Sequence, residues 1–343
     1  MRALLRELGD PQERFRAVHV VGTNGKTTTT LMTEAILRAE GLRVGATISP
    51  HVRSWSERIT TGDFEEAIAR VRPAAERVGA TQFEVVIAAA LAEFAGAGLD
   101  VAVVEAGLGG RLDATNVLDA PVVVLTNVAL EHTDVLGPTR EAIAAEKLAV
   151  VKPGATVVLC EPEWAEPARA RGASWVELVS CTNIALAHAA AQAFLGRPVG
   201  ASAAEAVRVP GRLEVRAERP LEIWDGAHNL AGLGWLLARL PSRRYVVVAS
   251  ILADKDPERM LAALSAIADR LVATRSAHPR ALAAAELASL ARFPADAVDD
   301  PGEALARARA LAGPDGAVLV TGSLYLLQDL SGAGRAYHDV EAS

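Results

Sequence analysis

Residues 20–30 read Val-Val-Gly-Thr-Asn-Gly-Lys-Thr-Thr-Thr-Thr and connect an apolar segment, residues 17–21, to a pattern typical of a helix. A turn of this composition between a strand and a helix points backbone N–H groups and a helix N-terminus at one spot, which suits phosphate. Lys26 can reach terminal phosphate oxygens, and the hydroxyl of Thr27 or Thr28 can bind Mg²⁺. The segment therefore predicts a nucleotide-binding site in an α/β domain.

The spacing of this loop differs from the common Walker pattern. That pattern has a glycine at the position of Val20, whereas the first glycine here, Gly22, comes two residues later. The alternative interpretation is a glycine-rich turn before a threonine-capped helix. The combination of Gly25, Lys26 and Thr27 after Gly22 favours nucleotide binding over that alternative.

Length and composition bound the class of protein. The chain has 343 residues, of which 51% are hydrophobic and 22% charged, so it can bury sizeable cores and suits two domains. Its net charge of −7 disfavours a surface for nucleic acid or anionic membranes. An anionic substrate would therefore need a local basic or metal-bearing pocket.

Cys160 and Cys181 form no closely spaced motif. We expect both to be reduced, buried thiols, as in cytoplasmic proteins. No segment has the pattern of a signal peptide or the length of an apolar membrane span, and residues 1–10 already predict a helix. The sequence therefore predicts a soluble cytoplasmic enzyme.

Apolar runs alternate with helical patterns along the chain, which is typical of parallel sheets built from βαβ units. In the first part, strands are predicted at residues 18–21, 44–48, 101–105, 122–126 and 156–160, and helices at 26–39, 64–78, 84–96, 140–151 and 183–195. After a Val-Pro-Gly-Arg break at residues 209–212, strands are predicted at 221–224, 245–249, 271–274 and 318–320. We therefore predict two doubly wound α/β domains, a phosphate-loop domain over residues 1–208 and a smaller Rossmann-like domain over 209–343.

Polar residues follow several predicted strands of the first domain. Ser49 follows the second strand, Glu105 ends the third, and Thr126 and Asn127 end the fourth and lead to His132. Ligands of open α/β sheets bind beyond the carboxyl ends of the strands. These side chains are therefore expected at one edge, beside the phosphate loop.

Mg²⁺ is the natural metal for a phosphate site, since it takes oxygen ligands and keeps several waters. Glu105 is the best candidate ligand because it is charged at the end of an apolar strand; the alternative is an ordinary surface acid. His132 is equally well explained as a structural histidine, because imidazole is an uncommon ligand of Mg²⁺.

Four further features have weaker signals. Composition alone places Lys147 among ordinary solvated helical lysines. Asp225 follows a predicted strand and precedes a helix, so a helix cap is one interpretation of it. Residues 254–256, Asp-Lys-Asp, read as a charged helix start, and residues 321–323, Thr-Gly-Ser, as a turn after a strand.

Together these segments resemble the folylpolyglutamate synthase and dihydrofolate synthase family of the Mur ligase superfamily, over nearly the whole chain. The phosphate loop is shared with the Mur peptidoglycan ligases. Gly-Leu-Gly-Gly-Arg-Leu-Asp-Ala-Thr-Asn at residues 107–116 and Asp-Gly-Ala-His-Asn at 225–229 are more specific to the folate branch. The other matching segments are residues 22–26, 49–51, 57–59, 132–137, 146–147, 210–212, 254–256 and 321–325.

The resemblance implies an ATP-dependent, amide-forming ligase that adds L-glutamate to a folate or to dihydropteroate. A carboxylate attacks the γ-phosphate of ATP to give an acyl phosphate, and the amine of glutamate then displaces phosphate. Such catalysis depends mainly on positioning and on neutralising phosphate charge. The implied cofactor is Mg²⁺ and the implied partners are ATP, L-glutamate and the folate. We expect a monomer that binds neither nucleic acid nor membrane.

The resemblance also assigns roles to individual residues. The triphosphate would be held by Thr23, Asn24, Gly25, Lys26, Thr27 and Thr28, with further ATP contacts from Asn183, Arg212 and Asp225. Mg²⁺ would lie near Thr27, Ser49, Glu105 and His132, and glutamate near His228 and Ser323. Lys147 would be the lysine that is carbamylated in this superfamily. The residues expected to be catalytic are Lys26, Lys147, Asp225 and His228.

Some features depart from the family pattern. Thr27 stands where most members have glycine, Glu131 stands where aspartate is usual, and Lys26 lies unusually near the start of the chain. Two alternatives are a Mur-type ligase acting on a UDP-sugar peptide and a non-catalytic nucleotide-binding homologue. The few residues before Gly22 disfavour the first, and the joint presence of the expected site residues disfavours the second. The choice between dihydrofolate synthase and folylpolyglutamate synthase activity stays open.

Overall fold

The computed structural model describes residues 1–332, which pack as two units. The first unit comprises Met1–His51 and Trp55–Val207, and the second comprises Val52–Ser54 and the chain from Arg208 onward. Within the described residues, no helix combines the length and the apolar composition needed to cross a bilayer.

A parallel sheet forms the centre of the first unit. Its strands are β1 (Arg16–Val21), β2 (Val44–Thr47), β3 (Val101–Glu105), β4 (Val122–Leu125), β5 (Thr156–Leu159) and β6 (Trp175–Leu178). They lie in the order β2-β3-β1-β4-β5-β6. The first five were predicted to within two residues. The edge strand β6 was missed, because it has four residues and Glu177 interrupts the apolar run expected of a buried parallel strand.

Helices cover both faces of this sheet. They are α1 (Arg2–Glu7), α2 (Lys26–Ala39), α3 (Phe64–Val78), α4 (Gln82–Gly96), α5 (Thr133–Leu136), α6 (Arg140–Lys147), α7 (Ala165–Ala170), α8 (Asn183–Leu195) and α9 (Ser202–Glu205). The boundaries of α2, α3 and α8 agree with the sequence prediction. The predicted helix over residues 140–151 ends earlier, because the chain tightens into a 3-10 turn over Leu148–Val150.

Alternate residues of β1 face two different cores. Val18 and Val20 pack in one core with residues of α2 and α8, including Ile36 and Ala190. Ala17 packs in another core with residues of α3 and α4. The strand is therefore covered on both sides, as its nearly continuous apolar sequence predicted.

A disulfide joins Cys160 and Cys181, whose Cα atoms are 5.0 Å apart. The expectation of two reduced, buried thiols is therefore wrong for this structure, and Cys181 is exposed. Cys160 directly follows β5, and Cys181 lies two residues before α8. In a parallel sheet, a strand ends and the next helix begins at the same edge. This topology brings the two cysteines together without a local sequence motif.

The second unit contains a mostly parallel sheet in the order β11-β10-β9-β12-β8-β7. Its strands are β7 (Glu214–Glu218), β8 (Leu221–Trp224), β9 (Tyr245–Ala249), β10 (Ala268–Ala273), β11 (Ala295–Ala297) and β12 (Ala317–Thr321). β7 pairs antiparallel with β8. β7 was not predicted because its charged residues resemble a loop, and β11 was not predicted because it has three residues.

Helices flank the second sheet as well. They are α10 (Leu230–Leu237), α11 (Pro257–Leu264), α12 (Ala284–Leu290), α13 (Pro301–Ala312) and α14 (Leu324–Ser331). One core contains Tyr245 and Val247 of β9 with Met260 of α11, and another contains Val246 of the same strand with Ala308 of α13. Both units are therefore layered α/β structures, as predicted.

Candidate active site

The phosphate loop is held in place by the end of β4. Thr23 donates its N–H to the carbonyl of Asn127 at 2.9 Å, and Asn24 donates its N–H to the Asn127 side chain at 3.0 Å. The hydroxyl of Thr126 donates to the carbonyl of Asn24 at 2.7 Å. The sequence analysis placed Thr126 and Asn127 at this edge without a role, and the structure shows that they fix the loop.

The two glycines of the loop are required by close neighbours. A Cβ at Gly22 would overlap Oγ1 of Thr126, and Gly22 has a φ of +150°. A Cβ at Gly25 would lie 2.5 Å from Oδ1 of Asn183, and Gly25 has a φ of +83°. These contacts account for glycine at both positions despite the unusual spacing, and they place Asn183 of α8 beside the loop.

Two lysines converge on the start of the loop. Lys26 Nζ donates to the carbonyl oxygens of Gly22 and Thr23 at 3.2 and 3.1 Å. Lys147 Nζ, at the end of α6, donates to the same Gly22 oxygen at 2.7 Å. Lys147 therefore contacts the phosphate loop and is not the ordinary solvated lysine that composition alone suggested.

Burial makes Lys147 unusual among lysines. Only 4% of the residue is exposed. Burial, together with the positive charge of Lys26, lowers the pKa of Lys147 to about 7, and Glu131 and Asp113 oppose this shift. A neutral amine is therefore well populated near neutral pH, and a neutral amine is the nucleophilic form of lysine.

Glu105, Thr27 and Ser49 form one cluster at the carboxyl edge of the first sheet. The Thr27 hydroxyl lies 3.0 and 2.9 Å from the two carboxylate oxygens of Glu105. The Ser49 N–H donates to Oε2 of Glu105 at 3.0 Å. Glu105 is only 2% exposed. The cluster therefore presents oxygen atoms beside the phosphate loop, where the sequence analysis expected them.

The segment that follows β2 is folded back onto it. Ile48 donates its N–H to the carbonyl of Arg58 at 3.2 Å, and Arg58 Nε donates to Nδ1 of the buried His51 at 3.1 Å. Burial and the charge of Arg58 lower the pKa of His51 to about 4, so the imidazole accepts this bond in its neutral form. These contacts fix the chain on both sides of Ser49.

His132 begins α5 in the left-handed region, with a φ of +51°. Among residues 1–332, no group of three or more histidine, cysteine, aspartate or glutamate side chains is arranged to hold a metal ion. The expected set contains only Glu105 and His132 of these types, with hydroxyls from Thr27 and Ser49. The metal role of these four residues stays a prediction.

In the second unit, Asp225 organises the turn after β8. Its carboxylate accepts the N–H of Leu213 at 2.8 Å and the N–H of Ala227 at 2.9 Å. Burial raises the pKa of Asp225, while the charge of Arg212 and these N–H groups oppose the rise. The Arg212 guanidinium also donates to the carbonyl of Gly211 at 2.9 Å. Arg212 and Asp225, both predicted ATP contacts, therefore lie in two turns, before β7 and after β8, that hydrogen bonds join.

The turn that carries His228 is joined to the turn that carries Ser323 through Ala227. Ala227 accepts the N–H of Gly322 at 3.0 Å, which joins the turn after β8 to the turn after β12. His228 Nδ1 lies 2.8 Å from the carbonyl of Gly226, so Nδ1 carries the proton in this contact. Ser323 is 1% exposed and caps α14 through the N–H of Tyr325.

One buried polar residue near the loop was missed by the sequence analysis. His19 lies within β1, is fully buried and contacts the hydroxyl of Thr115 at 2.8 Å. Thr115 in turn contacts the carboxylate of Asp113. The available signal was a histidine inside an apolar strand, where a polar side chain requires a partner.

The fold and the phosphate loop define a class of protein, namely Mur-type ligases. Residues 20–191 match the model of the Mur ligase middle domain, and residues 211–324 match that of the Mur ligase glutamate ligase domain. The chain is 34% identical to dihydrofolate synthase/folylpolyglutamate synthase of Mycobacterium tuberculosis, over 86% of this chain and 78% of that protein. It is 35% identical to the Escherichia coli protein of the same name, over 78% of this chain and 75% of that protein.

Solved structures that resemble this chain carry the same family names. The structure of E. coli FolC in complex with DHPP and ADP is 30% identical, with a TM-score of 0.86 over 99% of this chain and 92% of that chain. The structure of a bifunctional folylpolyglutamate synthase/dihydrofolate synthase with Mn, AMPPNP and L-glutamate bound is also 30% identical, with a TM-score of 0.82 over 98% of this chain and 94% of that chain.

The chain belongs to the folylpolyglutamate synthase/dihydrofolate synthase family. This confirms the resemblance found in the sequence, together with the predicted fold class and the prediction of an ATP-dependent, amide-forming ligase.

Proposed function

We propose that this chain joins L-glutamate to the carboxylate of a folate or of dihydropteroate, with hydrolysis of ATP to ADP and phosphate. The observation that carries the proposal is the cluster of Thr27, Ser49 and Glu105 beside a phosphate loop that two lysines contact. The ligands named for the similar structures, DHPP with ADP and AMPPNP with L-glutamate, support the same substrates.

The reaction has two balanced steps. A carboxylate oxygen of the folate attacks the γ-phosphorus of ATP, and ADP leaves, so that an acyl phosphate forms. The amine of glutamate then attacks the acyl carbon, phosphate leaves, and the amine nitrogen loses a proton as the amide forms. The N–H groups of the loop and the Lys26 ammonium would neutralise the transferred phosphoryl group.

The residues at the loop fit a magnesium ion. The donor set contains a buried carboxylate, Glu105, and the hydroxyl of Thr27, and the N–H of Ser49 holds that residue beside Glu105. Mg²⁺ prefers oxygen ligands and keeps several waters. We propose that these three residues and His132 hold Mg²⁺. When bound, the ion would offset the negative charge of the phosphate groups.

We propose that Lys147 is carbamylated in the active protein. Carbamylation of lysine requires the neutral amine, and burial favours that form of Lys147. The carbamate would replace a buried cation with an anionic oxygen group near the proposed metal site. A carbamate ¹³C signal with labelled bicarbonate that is absent from Lys147→Arg would support the assignment, and its absence from the native protein would oppose it.

The remaining roles follow the family assignments. We assign residues 1–208 to ATP binding, through Thr23 to Thr28 and Asn183, and residues 209–343 to the glutamate ligase function. In the second unit, Arg212 and Asp225 would contact ATP, and His228 and Ser323 would contact glutamate. The bond from His228 Nδ1 to Gly226 supports this assignment, because it fixes the orientation of the imidazole in the turn that follows β8. We further propose a cytoplasmic monomer.

Phosphate release with Mg-ATP and L-glutamate tests the proposal, with dihydropteroate and tetrahydrofolate supplied separately as acceptors. We expect release that depends on both glutamate and an acceptor, and the preferred acceptor identifies the activity. Release with a UDP-sugar peptide instead would favour the Mur-type alternative. ATP binding without turnover on any acceptor would favour a non-catalytic homologue.

A further inference from the structure

His19 is a polar residue at the centre of an apolar sheet. It lies three residues before Gly22, and its side chain is fully buried. Burial is also the main cause that lowers the pKa of His19 to about 4, so the imidazole is neutral at neutral pH. A buried imidazole destabilises the fold unless its N–H is bonded, so the contact that it makes is informative.

The direction of the hydrogen bonds follows from the number of protons available. The Thr115 hydroxyl has one proton and donates it to Oδ1 of Asp113, because a carboxylate cannot donate. The hydroxyl oxygen must therefore accept from Nε2 of His19, at 2.8 Å. Nδ1 of His19 is then the unprotonated nitrogen, and within residues 1–332 it is buried without a hydrogen-bond partner.

Asp113 closes the glycine-rich segment, residues 107–116, onto itself. Its Oδ1 accepts the N–H of Thr115 at 2.9 Å, and its Oδ2 accepts the N–H of Leu108 at 2.8 Å. The carboxylate thus joins the beginning and the end of the segment. Through Thr115, the closed segment is attached to β1 by His19.

The opposite side of the glycine-rich segment packs against the end of α6. A Cβ at Gly110 would lie 2.6 Å from the carbonyl oxygen of Glu146 and 2.7 Å from that of Lys147. Arg111 donates its N–H to the Glu146 carbonyl at 3.0 Å, and its guanidinium pairs with the Glu146 carboxylate at 2.7 Å. The segment is therefore in direct contact with the backbone that carries Lys147.

We propose that His19 is a positioning residue that aligns Lys147 with the phosphate loop. Through Thr115 and Asp113, it holds the glycine-rich segment against α6 and so fixes Lys147 opposite Gly22. β1 supports both ends of this connection: it carries His19, where the connection begins, and it is followed directly by Gly22, which Lys147 contacts. The catalytic consequence rests on the proposed ligase function, whereas the mechanical connection can be measured without it.

Thr115→Val and Thr115→Ser test the proposal as a matched pair. Valine removes the hydroxyl with little change of volume, and serine keeps it. We expect Thr115→Val to lower kcat for glutamate-dependent phosphate release by about tenfold or more, with the Kd of ATP changed by less than about threefold. Thr115→Ser is expected to stay within about twofold of the native enzyme, and His19→Leu to resemble Thr115→Val.

A control separates positioning from loss of stability. Thr274→Val removes a buried hydroxyl that donates to the Asp299 carbonyl in the second unit, so it provides a comparable hydrogen-bond deletion away from the connection. If Thr274→Val lowers kcat as much as Thr115→Val does, the effect is general and the proposal is overturned. Equal kcat for Thr115→Val and the native enzyme also overturns it.

Hydrogen exchange provides a readout that needs no activity. We expect Thr115→Val to speed exchange of the Arg111 amide, which bonds to Glu146, relative to the Thr274→Val control. If the native protein releases no phosphate, the proposed function fails, and this exchange still decides the positioning proposal. Unchanged exchange at Arg111 would overturn it.

Discussion

Lys26 and Lys147 donate to one acceptor, the carbonyl oxygen of Gly22, at 3.2 and 2.7 Å. Burial makes the charge of Lys147 costly, and repulsion from the neighbouring Lys26 adds to that cost. The lowered pKa of Lys147 follows from this arrangement. The site thus combines Lys26, whose ammonium suits phosphate, with Lys147, whose burial favours a neutral or modified side chain.

Replacement of Lys26 is expected to abolish ATP turnover. In Lys26→Ala, the ammonium that would neutralise the transferred phosphoryl group is lost, so we expect kcat to fall by about 1,000-fold or more. Lys26 is half-buried at the start of α2, and its bonds go to two loop carbonyls, so the fold should persist. Circular dichroism checks the fold, and near-normal turnover would contradict the assignment of the loop.

Lys147 is expected to make stability depend on pH in a defined window. Between about pH 7 and its ordinary pKa of 10.5, the unfolded chain binds a proton at Lys147 that the folded chain lacks. Stability due to this residue therefore rises with pH across that window, by at most about 1.4 kcal/mol per pH unit, and is lowest below it.

Urea unfolding of the native protein and of Lys147→Met measures this effect in buffers free of carbon dioxide. The stability of the native protein relative to Lys147→Met should increase from about pH 7 to about pH 9. A constant difference would mean that the lysine keeps its ordinary pKa, and a decrease would mean that a partner stabilises its charge.

Replacement of Glu105 is expected to weaken metal binding and so lower activity. Glu105→Gln keeps the size of the side chain and an acceptor for Thr27 but loses the negative charge, so we expect kcat/KM for Mg-ATP to fall by about 100-fold. Thr27→Ser keeps the hydroxyl that contacts Glu105 and serves as the control, with activity near that of the native enzyme. Titration with Mn²⁺ followed by electron paramagnetic resonance measures metal binding directly, and equal binding by Glu105→Gln would contradict the prediction.

His228 is expected to affect glutamate more than ATP. In His228→Ala, the imidazole proposed to contact glutamate is removed, while Asp225 keeps its bonds to Leu213 and Ala227. We expect the KM for glutamate to rise by about tenfold and the Kd of ATP to stay within about threefold. Equal losses in both, measured by kinetics and calorimetry, would indicate a structural role for His228.

Local sequence patterns predicted the strands that are buried on both faces. β3 and β9 are buried on both faces, so their apolar runs identified them, and the phosphate loop is a contiguous motif. β7 was not predicted because it lies at a sheet edge, where Val215 is exposed and charged residues alternate with smaller ones. Strand position in the sheet is a tertiary property that a single segment does not encode.

The same limit applies within the candidate site. Glu105 could be predicted because a carboxylate at the end of an apolar strand is locally unusual. The contact of Lys147 with Gly22 connects residues 125 positions apart, and that of His19 with Thr115 connects residues 96 apart. Only the packing of α6 and of the glycine-rich segment brings these groups together. The resemblance to a family supplied the role of Lys147, but the residues alone did not.

The disulfide between Cys160 and Cys181 is expected to stabilise the first unit. It closes a loop between residues 21 positions apart. In the chain-entropy description, such a crosslink lowers the conformational entropy of the unfolded chain and so raises the free energy of unfolding by about 3 kcal/mol. It also holds the chain just before Asn183, which lies beside Gly25 of the phosphate loop. Reduction should therefore weaken both the fold and the start of α8.

Cys181→Ser tests this prediction by comparison with the native protein in the presence and absence of a reductant. Urea unfolding should show the native oxidised protein to be more stable than Cys181→Ser by about 3 kcal/mol, and the reduced native protein should resemble the variant. Thiol titration of the denatured, unreduced native protein should detect no free thiol. Free thiols in that titration, or a native stability that a reductant leaves unchanged, would show that the two cysteines are not joined in solution.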